Sequence, residues 1–231
     1  MRINKYLAHT GVASRREADT LIEQKKVTVN GKIAEVGQQV QETDKVEIIG
    51  KTKPRSYLAY YKGRGIITHS PTENETDIAT RLAKDYSITH VSPVGRLNKD
   101  SEGLIILSND GRITGPLLDP DAKHEKEYEV LVDKRVSAMF IRAMAVGVDI
   151  EGYRTKQAVA IPNPKNDKRF KIILTEGKKH QIRRMCAALG YQVQSLKRVR
   201  IMGIKLDKLK PNQYRKIVDK ELTAFLKELG L

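Results

Sequence analysis

The chain is 231 residues long and carries 43 Lys and Arg against 28 Asp and Glu, a formal charge of +15 at pH 7. Such an excess points to a polyanionic partner. A single cysteine, Cys186, excludes an internal disulfide and a Cys-based zinc cluster, and apolar runs no longer than 57–61 and 185–189 exclude a membrane-spanning helix. Arg2, Asn4, Lys5 and His9 interrupt any apolar run at the start, so no signal peptide is read there and a cytoplasmic protein is expected.

Residues 3–10 have the spacing of a short helix with Ile3, Leu7 and Ala8 on one face, closed by Gly11. Ser14 and Glu17 form a capping box for a second helix carrying Ala18, Leu21 and Ile22. Residues 27–33 alternate around Asn30-Gly31, the strongest two-residue hairpin signal, and 40–49 read as a further strand. Residues 1–50 therefore form a small unit, with Arg15, Arg16, Lys25 and Lys26 flanking its helices, and the polar stretch 51–56 is a linker. Residues 57–231 read as one α+β domain. Strands are expected at 57–61, 103–107, 126–132, 157–161 and 170–175, and helices at 78–84, 137–146, 180–189 and 222–229. Strands and helices do not alternate regularly, which argues against a doubly wound parallel sheet.

Charge is concentrated. Residues 177–206 hold Lys178, Lys179, Arg183, Arg184, Lys197, Arg198, Arg200 and Lys205 and no acid. The same stretch carries Ile182, Met185, Leu189, Val193, Leu196 and Val199, so its basic side chains are expected to project from an ordered element as a nucleic-acid-binding stripe.

Three segments carry candidate chemistry: the polar loop and strand 94–111, the strand 124–130 around Tyr128, and 176–185, where Gly177 turns into a basic helix. Composition alone says only that a loop, a tyrosine strand and a basic helix can meet. Histidines offer no metal site: His180 and Cys186 face different sides of one helix, His124 and Glu127 opposite faces of a strand, and His69 and His90 lack partners at ligand spacing. Lys126 reads as a phosphate contact.

The pattern Ile3-x-x-x-Leu7, Gly11-x-x-Ser14-Arg15-Arg16-Glu17-Ala18, Val27-x-Val29-Asn30-Gly31 resembles the S4-type RNA-binding domain. Behind it, Gly95-Arg96-Leu97-Asn98, the strand from Gly103, Asn109-Asp110-Gly111, Lys126-Glu127-Tyr128 and Gln181-Ile182-Arg183-Arg184-Met185 stand in the order of the RsuA-type pseudouridine synthases, which this sequence resembles over essentially its whole length. The resemblance implies a mixed, mainly antiparallel sheet flanked by helices and loops, with no metal and no cofactor. The implied partner is a ribosomal RNA stem-loop, of the large subunit by the stretches 99–103, 124–128 and 195–202; a tRNA anticodon stem stays open as a second substrate. A monomer is expected. Carried over by position, Arg96 fills the gap left by a flipped base, Tyr128 stacks the uracil, Arg183 partners the carboxylate and Leu174 lies beneath the tyrosine. Lys126, Lys179, Arg184, Arg15 and Arg16 contact the RNA.

The catalytic aspartate of that family falls at position 98, where this chain has Asn98. A neutral amide has the shape of the carboxylate without its charge or nucleophilicity. The expectation is an RNA pseudouridine synthase site that does not turn over. Asn98 is compatible with a change made to stop turnover or with a natural, non-catalytic RNA-binding or ribosome-assembly protein. DNA binding is the weakest reading, because charge alone does not distinguish nucleic acids.

Overall fold

Ile3 and Leu7 lie one turn apart on α1 (Ile3–His9) and are buried against Ala18 and Ile22 of α2 (Arg15–Glu23). Both helices close over Val27 and Val29 of β1 (Val27–Val29), which pairs with β2 (Lys32–Ile33) and β3 (Val46–Ile48). Asn30 and Gly31 take φ of +51° and +81°, the two left-handed residues that a tight hairpin turn requires, and Val29 pairs with Lys32 across them. The third strand is shorter than the expected 40–49. Asp44 accepts from the Gln41 amide and from the Asn30 side chain, so 41–44 form a turn and pairing starts only at Val46. The computed structural model describes residues 1–13, 15–50 and 54–231, apart from the Arg16 side chain. The expected capping contact of Ser14, the Arg16 contact and the first half of the linker lie outside the described residues.

The rest of the chain is built on one mixed sheet. Its path runs β10 (Val159–Pro162), β11 (Arg169–Leu174), β7 (Lys126–Val132), β12 (Val193–Ile201), β6 (Glu102–Ser108), β4 (Tyr57–Lys62) and β14 (Tyr214–Lys216), with β5 (Ser92–Val94) on β6 and β13 (Ile204–Lys205) on β12. Every pairing is antiparallel except β12 with β6. A small hairpin, β8 (Asp149–Ile150) and β9 (Tyr153–Arg154), stands apart from it.

One face of this sheet is divided. On one side α3 (Ile78–Tyr86) covers Leu58, Tyr60, Ile105 and Leu107; on the other, α5 (Ala138–Val146) and α6 (Gln181–Ala188) cover Val130, Phe170, Ile172, Leu174 and Leu196. The opposite face is closed by α7 (Asp219–Glu228), whose Phe225 packs with Tyr57, Tyr61, Leu104 and Ile106. A short helix α4 (Thr114–Leu118) follows a 3-10 turn at Gly111–Ile113.

That turn joins the two parts of the chain. Asp110 is fully desolvated and accepts from Tyr57 and from Arg112, and Arg55 lies 3.7 Å away while donating to the Gly11 carbonyl. A Cβ on Gly111 would stand 2.3 Å from the Ala8 carbonyl oxygen, so only glycine permits α1 to come this close. The described half of the linker is pinned as well: Asn109 accepts from the Ser56 amide and donates to the Pro54 carbonyl.

The strand β12 and the edge strands β5 and β14 fall where the sequence predicts none. The long strand overturns the expectation of a continuous basic stripe. Arg198 is buried within the sheet, and Arg200 is paired with Glu125 and Glu127 at 2.9 Å, so neither projects freely.

Candidate active site

The parallel pairing of β12 with β6 decides where the polar loop lies. β12 runs beside the start of β6 (Lys197 opposite Glu102, Arg198 opposite Gly103), and β5 runs beside its end (Val94 opposite Ile106). Segment 95–101 joins β5 to β6 and fills the fork between β12 and β5, at the seam that divides the helix-covered face.

The backbone around Asn98 is held on both sides. Thr68 Oγ1 donates to the Leu97 carbonyl at 2.7 Å and accepts from the Leu97 amide at 3.0 Å. The Lys99 carbonyl accepts from the Gly65 amide at 2.9 Å, with Lys62 Nζ at 3.5 Å. The Ser101 amide donates to the Asn98 carbonyl at 3.1 Å. Arg183 Nη2, from α6 on the other side of the seam, donates to the Asp100 carbonyl at 3.3 Å, and its Nη1 to the Val193 carbonyl at 3.0 Å. The Asn98 side chain is half-buried and makes no hydrogen bond among the described residues. Its main chain is fixed and its amide remains available.

Lys62 is not among the residues that the sequence singles out, and it has no exposed surface. Its ammonium donates to the carbonyls of Gly63 (3.0 Å) and Ile66 (2.5 Å) and approaches that of Lys99. Burial lowers its pKa to about 8, against the opposing pull of Asp100 and Glu102. The only signal is a lysine ending an otherwise apolar strand just before Gly63, too common a feature to mark a site. Thr68 carries no signal at all, because its role depends on a contact 29 positions away.

Tyr128 lies half-buried on the face covered by α6, opposite Ile172 on β11 and Arg198 on β12. Lys126 and Leu174 are directly opposite each other and on that same face, one pleat along. Burial, and then the charge of Arg198, lower the Lys126 pKa; its ammonium donates to the His124 carbonyl. The approach of α6 is set by Glu176, a buried carboxylate that accepts from Tyr153, from the Lys156 amide and from Gln181 Nε2 at 2.6 Å.

The structure thus brings the Asn98 loop, Arg183, Tyr128, Lys126 and Leu174 to one seam. Arg96 is exposed on the loop. Arg184 turns away, to Glu151 at 2.8 Å and the Ile150 carbonyl, and Lys179 is exposed at the start of α6. Arg15 lies on α2, in the N-terminal unit. A shallow hollow on the outer side of α5, lined by Met139, Arg142, Val146 and Leu189, holds an Arg154–Asp149 pair whose charges offset each other. Among the described residues no group of three or more His, Cys, Asp or Glu is placed to hold a metal ion, and no helix is long and apolar enough to cross a membrane.

This fold and this seam define a class of RNA-modifying protein: the RNA pseudouridylate synthase family model matches residues 56–188 and the S4 domain model residues 1–46, and the chain belongs to the RNA pseudouridylate synthase family. Among individual relatives, it is 39% identical to the dual-specificity RNA pseudouridine synthase RluF of Escherichia coli (strain K12), over 98% of this chain and 79% of that protein. It is 32% identical to the ribosomal large subunit pseudouridine synthase B of Bacillus subtilis (strain 168), over 96% of this chain and 93% of that protein. A crystal structure of a pseudouridylate synthase superposes with a TM-score of 0.71 at 27% identity, covering 99% of both chains.

Proposed function

We propose that the seam receives one flipped uridine of a structured ribosomal RNA, of the large-subunit type, and that this chain binds it without isomerising it. The observation that carries the reading is Asn98: Ser101 holds its own carbonyl, and Thr68, Gly65 and Arg183 hold the backbone of Leu97, Lys99 and Asp100 around it, as a reactive carboxylate would have to be held, yet its side chain is an amide. Isomerisation breaks the N1–C1′ bond, turns the uracil and rejoins it through C5, and a negative oxygen against C1′ is what makes that bond labile. Arg96 fills the place of the extruded base, Tyr128 stacks it over Leu174, and Arg183 balances the charge of a carboxylate at 98. Lys126, Lys179 and Arg15 contact the RNA, whereas Arg184, tied to Glu151, serves the packing of α6 instead, and a tRNA anticodon stem is a second substrate to test, given the dual specificity of the E. coli relative.

Asn98→Asp decides between a silenced enzyme and a protein that only binds. In single turnover with large-subunit ribosomal RNA transcripts tritiated at uridine C5, the Asn98→Asp variant should release label at least about 10⁴ times faster than the parent chain, the scale of removing a nucleophile from an otherwise complete site. Equal release by both would remove the assignment of position 98. No release by either, with both binding the transcript tightly, favours the second reading that Asn98 itself suggests, an RNA-binding protein that retains the fold without the chemistry.

A further inference from the structure

Pairing registers place five residues in one row across the sheet: Ile172, Tyr128, Arg198, Gly103 and Lys62. Residues opposite one another in register share a face, so Tyr128, Arg198 and Lys62 all stand on the face that carries the seam. Gly103 leaves a gap between Arg198 and Lys62. It has φ of +109°, and a Cβ there would stand 2.2 Å from the Arg198 carbonyl oxygen, so no side chain can occupy that place.

Arg198 is 6% exposed and has no carboxylate within ion-pair distance among the described residues. Its single hydrogen bond runs from Nε to the Leu104 carbonyl at 2.7 Å. A guanidinium has five N–H donors, and here the four on the terminal nitrogens have no partner among the described residues. Its charge is not neutralised locally: it is felt at both Lys62 and Lys126, where it lowers the pKa further. The nearby acids do not answer it. Glu102 is bound by Tyr61 on the opposite face, and Asp100 is exposed on the loop. A largely buried cation without a counter-charge costs folding stability, and its terminal nitrogens, which are not fully enclosed, can be reached from outside.

We propose that Arg198 holds the flipped uracil by a ring carbonyl oxygen and stabilises the ring while it is detached from the ribose. This rests on the pseudouridine reading of the site. In an active form with a carboxylate at 98, the N1–C1′ bond breaks with its electron pair leaving on uracil, and the carboxylate oxygen takes C1′. The ring turns about its N3–C6 axis, C5 bonds to C1′, the carboxylate leaves with its pair, and the C5 proton passes to water while N1 takes one up. Nothing is oxidised or reduced. The detached ring is an anion with its charge spread over N1, O2 and O4, so a fixed cation at a carbonyl favours that state over the neutral ground state. The half-turn exchanges O2 and O4. A donor fork fixed at Nε by Leu104 therefore meets a carbonyl oxygen before and after the turn without moving, while Tyr128 beside it supplies the ring face.

The probe is barbiturate, a uracil-like ring that is anionic at neutral pH, compared with neutral uracil, each titrated against the parent chain by NMR. The parent should bind barbiturate in roughly the millimolar range and more tightly than uracil, and Arg198→Met should weaken barbiturate at least about tenfold while changing uracil far less. Arg198→Gln, which retains a donor for the Leu104 carbonyl, carries the same expectation and serves if the Met variant does not fold. Equal barbiturate affinity in parent and variants, or no binding by the parent, overturns the proposal. In the Asn98→Asp background, Arg198→Met should slow tritium release by about 100-fold or more with RNA affinity held within about threefold, a split that a purely structural role does not produce. If Asn98→Asp with Arg198 intact releases no label, the isomerase reading fails, and the barbiturate titration still decides the site.

Discussion

The cations of the N-terminal unit and those of the seam carry the same charge in opposite surroundings. Arg15, Lys25 and Lys26 are exposed to water on and beside α2. Lys62 and Arg198 are buried, and Lys126 half-buried, among strands. An exposed cation costs little to keep and offers any phosphate a salt-screened attraction that carries no sequence information. A buried cation is costly, shown by the lowered pKa values of Lys62 and Lys126, and it contributes only where one particular oxygen meets it. In the proposed reading, one region supplies affinity for RNA in general and the other supplies geometry for one loop and one base.

The sharpest way to break this division is at the junction between the two regions. Asp110→Ala leaves the Tyr57 hydroxyl buried without its acceptor and strips the partly exposed Arg112 of its carboxylate, and should cost about 1–3 kcal/mol in a urea titration. Burial alone would raise the Asp110 pKa, but the bonds from Arg112 and Tyr57 hold it below the usual carboxylate value. Its contribution is therefore complete above about pH 4 and is lost as pH falls through the lowered folded value, a loss the Ala variant should not show. A variant as stable as the parent would mean that the two regions do not depend on this contact.

Lys62 tests the buried side alone. Its folded pKa of about 8 lies below that of the unfolded chain, so between about pH 8 and 10.5 the unfolded state holds more protons and stability rises with pH. Relative to Lys62→Met, the parent should gain about 2–3 kcal/mol over that window, read from denaturant midpoints at each end. Parallel curves for the two proteins would place the ammonium in water rather than beneath the loop.

Tyr128 tests what the seam holds. Tyr128→Phe should bind ribosomal RNA as the parent does, because the ring still stacks, while Tyr128→Ala should lose about 1–3 kcal/mol. Equal binding by both would move the base off this ring. The smallest effect belongs to the exposed region: Arg15→Glu should reduce the steepness of the log affinity against log salt plot by about 0.7–0.9 for each phosphate that the chain no longer neutralises, without changing which RNA is preferred. An altered preference would assign Arg15 to base reading and erase the contrast between the regions.

What the sequence determined by itself was local. Asn30-Gly31 implies its hairpin because two successive left-handed residues are cheap only there, and the helix expected at 137–146 forms over Ala138–Val146, with Ser137 accepting from the Phe140 amide at 3.0 Å. The motifs around Asn98, Tyr128 and Arg183 also stood in the sequence as three separate segments, and the charge of +15 already implied a polyanion. Only the tertiary structure decided that residues 193–201 are a central strand, because alternation of Lys197, Arg198 and Arg200 with apolar residues reads as a solvated basic face until Glu125 and Glu127 arrive beside Arg200. It likewise decided that Tyr128, Arg198 and Lys62 share a row. That row is set by the registers of β7 on β12, β12 on β6 and β6 on β4, between residues dozens of positions apart, and a shift of one residue in any of them would turn a member to the opposite face.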